Sequence, residues 1–324
     1  MTIRIGTRDS ELAMWQAKTV QSLLLDLGHN AVLHPVKSQG DLNLTEPLYE
    51  MGITGIFTKT LDVALVKGEI DIAVHSLKDV PTRLPKGMVQ AAVLPRASHK
   101  DILVYKKSFN PDDAMTVATG SLRRKAQWLN GFPRHQLVDL RGNVNTRLAK
   151  LQKNADWDAA IFAKAGLDRI GLLGRLKSNY GFEYTDLDSF IPAPAQGVMM
   201  IAAMEENAEL LKVLYELNDF STQLCVGMER MFLRELEGGC TAPIGAIAQI
   251  KESTVHFEGC LSSLDGSEKL TFQEKLSLPA NWNTSENAIT VIDHATDFSK
   301  KQAQKLLNFG GKEMMVAIKS NLSN

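Results

Sequence analysis

Cysteine is scarce in this sequence, and its few copies are not spaced for a structural bond or a metal. The three cysteines, Cys225, Cys240 and Cys260, are an odd number at wide spacings, which argues against a disulfide framework. No CxxC pair and no HExxH motif accompanies them, so we expect no bound metal. These absences favour a protein of the reducing cytoplasm.

The sequence also lacks an excess of either charge and any long apolar run. The chain has 36 basic and 37 acidic residues, a formal net charge of −1, so no overall field draws it to nucleic acid or to a membrane. Its start, MTIRIGTRDS, lacks the apolar core of a secretory signal, and no apolar run approaches the ~18 residues that span a bilayer. The length of 324 residues exceeds one ordinary core and predicts two or three domains.

Short apolar strands alternate with amphipathic helices along the first two-thirds of the sequence. The stretches IRIGTR and IDIAVHS read as strands, and Asp9 or Ser10 is placed to cap a helix that Gly28 ends. After about residue 100 the alternation resumes with ILVY, MTVAT and AAIFA. This pattern predicts two α/β units with mainly parallel sheets, and IPAPAQG predicts a crossing between them.

The sequence changes character from about residue 220. A helix through CVGMERMFLREL is followed by GAIAQIK, TVHFEGCLSS and LTFQEKLSL, which alternate like antiparallel strands with a turn at Asp265-Gly266. A last helix is predicted at about 296–308, ending at Gly310-Gly311 or just before. These features indicate a third, α+β unit.

Positive charge is concentrated locally. Residues 121–150 contain seven basic residues against one acid, Asp139, a local net charge of +6. An arginine lies between a predicted strand and the start of the next helix in three stretches, TGSLRRK, LRGNVNTR and TRDS. Helix N-termini favour anions, and arginine adds a positive charge there. Three such corners predict a cleft for a ligand with several anionic groups. Solvated surface charges are one alternative. A nucleic-acid groove is another, which the few neighbouring aromatic residues, Trp128 and Phe132, disfavour.

The motif HSLKDVP carries candidate chemistry. Lys78 and Asp79 follow the end of a buried strand, where a carboxylate beside a cation can stabilise a developing positive charge or shuttle a proton. An ordinary surface ion pair is the alternative. His75 is interpreted as a packed strand residue.

The stretch ELEGGCTAPIGA carries the second candidate. Two glycines clear the backbone around Cys240, whose thiolate would be a strong nucleophile. No histidine lies close to it in sequence, which favours an attachment point over a turnover nucleophile. An inert loop cysteine is the alternative. Cys225 and Cys260 are predicted to lie in the core.

These stretches, in this order, resemble the porphobilinogen deaminase (hydroxymethylbilane synthase) family over nearly the whole length. The resemblance rests on IGTRDSELAMWQA, IFTKTLDVAL, DIAVHSLKDVPT, TGSLRRKAQ, LRGNVNTRLAKL, AGLDRIG, PAQG and LEGGCTAPIGA. It implies a transferase of haem and tetrapyrrole biosynthesis that joins four porphobilinogen molecules head to tail. Ammonia is released at each step, and the product is linear hydroxymethylbilane. It also implies a dipyrromethane cofactor, made from two porphobilinogens and held by a thioether to Cys240.

The resemblance also assigns roles to single residues. Asp79 matches the catalytic aspartate, which contacts pyrrole N–H groups and stabilises the cationic azafulvene formed when ammonia leaves. Porphobilinogen carries acetate and propionate side chains, so the growing chain is a polyanion that corner arginines suit. The implied cofactor- and substrate-binding residues are Arg8, Ser10, Lys59, Lys78, Thr119, Ser121, Arg123, Arg124, Arg141, Arg147, Arg169, Gln196 and Gly197.

The sequence departs from the family pattern at three places. Thr54 stands where a lysine is common, and Gly120 stands where a second hydroxyl residue is common. VMMIAAM, residues 198–204, replaces a small, glycine-containing run that ends in an acid, a change that we interpret as one of packing.

The family fold implies two doubly wound α/β domains that resemble type II periplasmic binding proteins, plus a small α+β C-terminal domain with an antiparallel sheet. The expected limits are 1–98 with 198–218 for the first domain, 99–197 for the second and 219–324 for the third. We expect a monomer with porphobilinogen as its substrate and no nucleic-acid or membrane partner. The competing function is a two-lobed protein that binds an anionic small molecule without chemistry.

Overall fold

The computed structural model describes residues 2–36, 58–106, 110, 112–236, 242–284 and 287–323. Within them the chain forms three β-sheets with helices packed against them. The strands are β1 Ile3–Thr7, β2 Ala31–Pro35, β3 Ile72–Ser76, β4 Met88–Val93, β5 Asp101–Tyr105, β6 Thr116–Ala118, β7 Gln136–Val138, β8 Ala159–Ala163, β9 Glu183–Asp186, β10 Met199–Met204, β11 Ile244–Lys251, β12 Thr254–Ser262 and β13 Lys269–Ser277.

Helices connect these strands. They are α1 Glu11–Asp26, α2 Lys59–Val66, α3 Leu122–Gly131, α4 Val144–Lys153, α5 Lys164–Arg169, α6 Leu176–Tyr180, α7 Ala208–Tyr215, α8 Phe220–Glu235, α9 Ala288–Leu306 and α10 Lys312–Ser323. Single 3₁₀ turns occupy Leu77–Asp79 and Leu173–Arg175. In the described part of the chain, no helix combines the length and the apolar character that crossing a bilayer requires.

The first two sheets share one arrangement. Their strand orders are β2-β1-β3-β10-β4 and β7-β6-β8-β5-β9. In the first sheet β1 runs parallel to β2 and β3, whereas β10 is antiparallel to β3 and β4. In the second sheet β6 runs parallel to β7 and β8, whereas β5 is antiparallel to β8 and β9. Each sheet therefore has two parallel and two antiparallel pairings, because one of its five strands is reversed.

The two reversed strands flank the places where the chain crosses between the sheets. The crossing segments pair with each other, because the Leu94 amide donates to the Met199 carbonyl and the Ala97 amide to the Gly197 carbonyl, both at 3.0 Å. Gly197 has a φ of +84°, and a Cβ there would lie 2.6 Å from the Ser98 carbonyl oxygen. Strand β10 belongs to the first sheet, as a discontinuous first domain requires. The residue limits of the domains stay a prediction.

Both faces of the first sheet are covered, which explains its continuous apolar strands. On one face α1 and α7 contribute Val20, Leu24 and Leu214 to a core. On the other face α2 contributes Leu61 and Leu65. Alternate side chains of β10 pack into the two cores, and the strand is almost wholly buried. This agrees with the interpretation that the unusual sequence of residues 198–204 concerns packing.

The third unit is a three-stranded antiparallel sheet, β11-β12-β13, packed against α8 and α9. Its core includes the buried Phe232 and Phe257, whose rings meet edge to face with centroids 6.0 Å apart. Cys225 and Cys260 are buried free thiols, as predicted. The predicted fold class, two α/β units followed by an α+β unit, is confirmed.

The prediction for the last helix is wrong at its start, whereas its predicted end just before Gly310 is confirmed. Helix α9 already begins at Ala288, and α10 follows it after a turn in which Gly310 has a φ of +98°. The segment Ile289–Ile292 is rich in β-branched residues, which lowers its intrinsic helix propensity. Burial of Ala288, Val291 and Ala295 against the core outweighs that preference.

Candidate active site

Four motifs lie at the carboxyl ends of neighbouring strands. TRDS follows β1 and HSLKDVP follows β3, and these two strands are parallel neighbours in the first sheet. TGSLRRK follows β6 and LRGNVNTR follows β7, which are parallel neighbours in the second sheet. Because parallel strands end at the same edge, each sheet presents two of the motifs together.

Serine and asparagine side chains begin the helices at these corners. The Ser10 hydroxyl accepts a hydrogen bond from the Ala13 amide at 3.4 Å, and Ser121 accepts one from the Arg124 amide at 3.4 Å. Asn143 caps α4 by accepting from the Thr146 amide at 2.9 Å. The caps fix where each helix starts, so the arginines beside them hold defined positions.

A steric constraint explains why position 120 is a glycine. A Cβ there would lie 2.7 Å from the Leu140 carbonyl oxygen, so a hydroxyl side chain would require the backbone at Leu140 to move. The neighbouring Thr119 is buried, and its hydroxyl accepts from the Ser121 amide at 3.3 Å. This departure from the family pattern therefore accompanies close packing of the two corners.

Asp79 ends the 3₁₀ turn that follows β3 and lines a small pocket. Other residues of this pocket are Arg8, Ser10, Thr58, His75 and Ser76. Arg230 of α8 clamps the segment around Asp79. It donates to the carbonyl oxygens of Val80 at 2.9 Å and Pro81 at 2.6 Å. No local pattern predicts this role of Arg230, because a single arginine on a helix is common.

His75 is buried at 6% exposure, as predicted for a packed strand residue. Burial, with repulsion from Arg8, lowers the pKa of His75 to about 4, so the imidazole is neutral at pH 7. Its Nε2 has no hydrogen-bond partner among the described residues.

Arg147 lies where cations from both sheets meet. Burial lowers the pKa of Arg147 to about 10, and repulsion from Arg124, Arg141 and Arg8 adds to that shift. Asp79 acts in the opposite direction on the same arginine. Residues predicted from four separate motifs therefore share one electrostatic environment.

Lys78 connects this group to the second sheet. Burial, followed by repulsion from Arg124, lowers the pKa of Lys78 to about 8, although Asp79 and Asp101 oppose the shift. The Lys78 ammonium donates to the Gln196 side-chain oxygen at 3.2 Å. A lysine with this pKa is partly neutral in mildly alkaline solution.

Arg123 and Arg124 are nearly fully buried, and both contact Asp101. Nη1 of Arg123 lies 2.7 Å from one carboxylate oxygen, while Nε and Nη2 of Arg124 lie 3.0 and 2.8 Å from the other. Arg124 also donates to the Ile161 carbonyl at 3.0 Å. Nε of Arg123 is buried without a partner in the described part of the chain. Sequence reasoning missed Asp101, which has no motif around it.

Arg169 and Gly197 lie together at the crossing. Nη2 of Arg169 donates to the Gly197 carbonyl at 2.7 Å, and its guanidinium carbon lies 5.8 Å from the centre of the Trp15 ring. Burial lowers the pKa of Arg169 to about 10, against the attraction of Asp168.

One residue from the predicted site is exposed, and two further positions lie outside the described residues. Lys59 is exposed at the first position of α2, although the preceding Thr58 lines the pocket. Cys240 and Thr54 lie outside the described residues. Their predicted roles stay predictions.

Positive charge exceeds negative charge where these side chains meet. Among the described residues linked electrostatically to Arg147 and Lys78, six cations stand against two carboxylates, a net charge of +4. The carboxylates are Asp79 and Asp101, and the cations are Arg8, Lys78, Arg123, Arg124, Arg141 and Arg147. Such an excess suits a ligand with several acid groups. Trp128 is fully buried and is not available to stack on a nucleic-acid base.

Comparison with known proteins identifies the family. Residues 3–212 match the family model described as porphobilinogen deaminase, dipyromethane cofactor binding domain, and residues 223–308 match porphobilinogen deaminase, C-terminal domain. Porphobilinogen deaminase of Syntrophomonas wolfei is 37% identical over 320 residues, which cover 97% of each chain. That of Chloroherpeton thalassium is 36% identical over 330 residues, with 98% of each chain covered.

A similar solved structure is a more distant match. The methionine-binding protein MetQ is 16% identical with a TM-score of 0.40, covering 67% of this chain and 89% of its own. A score at that level carries no argument, so the fold assignment rests on the strand orders described above. The two family models together cover most of the sequence, and the relatives match it nearly end to end. The chain belongs to the porphobilinogen deaminase family.

Proposed function

We propose that Asp79 is the catalytic carboxylate of this enzyme and that the surrounding cations hold the acid side chains of its substrate. The function is that of the family, a transferase reaction in which porphobilinogen units are joined into hydroxymethylbilane. The observation that carries the assignment is that Asp79 lines a pocket with Arg8 while sharing the environment of Arg147 and Lys78.

The cleft suits the dipyrromethane cofactor of the family. Two pyrrole rings with one acetate and one propionate each carry four negative charges, and cations outnumber carboxylates among the described residues linked to Arg147 and Lys78. The buried, unpartnered Nε of Arg123 offers a further donor to an acid group. When bound, this group supplies the primer to which pyrroles are joined. Arg8, Arg123, Arg141 and Arg147 are the residues that we expect to hold its carboxylates.

The attachment to Cys240 is supported by the surroundings of its loop. The loop joins the end of α8 to β11, which begins at Ile244. A Cβ on Gly245 would lie 2.6 Å from the Ile191 carbonyl oxygen, and that oxygen accepts a hydrogen bond from Arg123 at 2.9 Å. The loop thus leads into a strand that packs beside the arginine cleft.

Asp79 and the surrounding cations have different roles in each condensation. The carbon–nitrogen bond of the protonated aminomethyl group breaks, ammonia leaves with the bonding electrons, and positive charge develops on the pyrrole, which the Asp79 carboxylate stabilises. A carbon–carbon bond then forms to the free α-carbon of the acceptor pyrrole, which releases its proton. Arg8 and Arg147 neutralise acid side chains and orient the ring in the pocket. Arg230 keeps the Asp79 segment in place through its backbone carbonyls.

Intact mass combined with turnover tests this assignment. The purified enzyme should carry two pyrrole units of added mass, and Cys240→Ser should lack them and consume no porphobilinogen. The competing function, capture of an anionic small molecule, predicts the bare polypeptide mass. An active preparation with the bare mass would refute the covalent attachment.

The proposed assembly is a monomer in a reducing compartment. The monomer is the expectation for the family, and the odd number of widely spaced cysteines favours the reducing compartment. Analytical ultracentrifugation of the loaded enzyme should give a single species near 35.7 kDa. A dimer at assay concentration would contradict the proposal.

A further inference from the structure

Asp101 is a buried carboxylate that the cofactor-binding and catalytic assignments do not use. It is the first residue of β5, and its side chain is fully buried. Beyond its contacts with Arg123 and Arg124, it accepts a hydrogen bond from Nε2 of Gln196 at 3.0 Å. Because it has no exposed surface, it is not placed to touch substrate. Its function must act through the residues that it binds.

The charge of Asp101 is needed where it lies. Burial alone would raise the pKa of Asp101, but attraction to Arg123 and Arg124 outweighs it and holds that pKa well below its usual range. Without this anion the two adjacent guanidinium groups would repel each other in a site with little water. The carboxylate therefore fixes where both guanidinium groups point.

Gln196 extends this arrangement across the crossing. Its Nε2 donates to Asp101 and, at 2.8 Å, to the His99 carbonyl, while its Oε1 accepts from Lys78 at 3.2 Å. The hydrogen-bond chain thus runs from Lys78, beside Asp79 in the first sheet, to the arginine pair of the second sheet. The amide orientation is set by these partners, because an ammonium can only donate.

We propose that Asp101 is a positioning residue of the cleft, which orients Arg123 and Arg124 and, through Gln196, holds Lys78 beside them. This inference rests on the proposed function, since it assumes that these cations hold acid groups of the substrate. Asp101 links the two sheets that bound the cleft, so its loss changes substrate capture more than the chemical step.

The test compares Asp101→Asn with Asp139→Asn. Asp139 is the matched control. Its carboxylate lies 2.7 Å from the ammonium of Lys125, the residue after Arg124 on the same helix, but the Asp139 side chain is 41% exposed. Rates are expressed per cofactor-loaded enzyme, with loading read from intact mass. We expect Asp101→Asn to raise KM by about tenfold or more with a smaller change in kcat, since it removes hydrogen bonds to charged groups. Asp139→Asn should stay near wild type.

The pH profile separates positioning from general destabilisation. The charged groups that influence Lys78 are Asp79 and Asp101, which favour its charged form, and Arg123 and Arg124, which oppose it. Removing the Asp101 charge should move the alkaline limb of kcat/KM to lower pH. Loss of stability alone would leave that limb in place, so an unmoved limb with an unchanged KM would overturn the proposal.

A second variant applies if Asp101→Asn does not fold. Gln196→Leu leaves the contacts between Asp101 and both arginines intact but cuts the link to Lys78. It should also raise KM and move the alkaline limb to lower pH, because Lys78 loses the Gln196 oxygen as an acceptor. Wild-type KM and pH profile in Gln196→Leu would refute the link. An inactive wild-type enzyme would refute the proposed function instead, whereas an active wild type with an unaffected Asp101→Asn would refute this inference alone.

Discussion

Nη2 of Arg96 lies 2.6 Å from the carboxylate of Glu229, whose side chain is fully buried. The same carboxylate accepts from the backbone amides of Ala195 at 2.6 Å and Ala248 at 2.8 Å. Ala195 has a φ of +63°, a conformation that few residues other than glycine adopt. One side chain of α8 therefore joins both crossing segments and the third sheet.

We expect Glu229→Gln to destabilise the protein by about 3–5 kcal/mol, because it leaves Arg96 without its buried counter-charge. Glu235→Gln, on the same helix, is the control. Its partner Lys300 is 4.0 Å away and half exposed, so its loss should cost about 0–1 kcal/mol. Urea unfolding measures both changes. Equal stability of the two variants would contradict a joining role for Glu229.

Asp79→Asn should keep the fold and lose nearly all turnover. The amide has the shape of the carboxylate but no charge to stabilise the developing cation, so kcat should fall by at least about a hundredfold. The measurement is single-turnover kinetics on enzyme whose cofactor content is confirmed by mass. A loaded variant with a wild-type rate would remove Asp79 from the catalytic role.

Arg141→Leu should weaken capture of cofactor or substrate without lowering solubility. Arg141 is buried beside Arg147, where one guanidinium contributes to the excess of positive charge. We expect KM to rise by about tenfold, in line with the loss of a charged hydrogen bond. Arg134→Leu is the control, since Arg134 belongs to the same basic stretch but is exposed. Normal loading and kinetics in Arg141→Leu would exclude it from the binding residues.

Lys78 should make activity fall as the pH rises in the alkaline range. Without a bound anion the pKa of Lys78 is lowered to about 8, and bound carboxylates would raise it, so kcat/KM should fall at or above that pH as the charge is lost. Lys78→Arg should retain the charge and extend the profile of kcat/KM to higher pH. Identical profiles for the two enzymes would contradict a binding role for the charge.

The effect of Lys78 on the stability of the fold runs in the opposite direction, since stability should rise with pH. Because its folded pKa lies below the ordinary 10.5, the charged form weakens the fold, and that cost disappears between about pH 8 and 10.5.

Much of the α/β part was predictable because its signals are local. Apolar runs such as IDIAVHS, a serine before α1 and Gly28 after it mark strand and helix ends within a few residues. Strand direction is different, since nothing within β5 or β10 indicates that it runs opposite to its neighbours. That property depends on partners far away in sequence.

The candidate site was predictable to the extent that its residues lie in motifs. Arg8, Asp79 and Arg147 were expected in one cleft, and their shared electrostatic environment agrees with that expectation. Asp101 and Arg230 could not be assigned, because their partners are 22 and 150 residues away in sequence. Long-range contacts of this kind leave no local pattern.

The position of β10 has a consequence for synthesis. This strand lies between β3 and β4, yet it is translated only after the whole of the second sheet. A nascent chain that ends before Met199 would lack a central strand of its first sheet and would expose the edges of β3 and β4. Maturation on the ribosome must therefore proceed with one unit incomplete until the other has emerged, and the pairing that completes it spans more than a hundred residues.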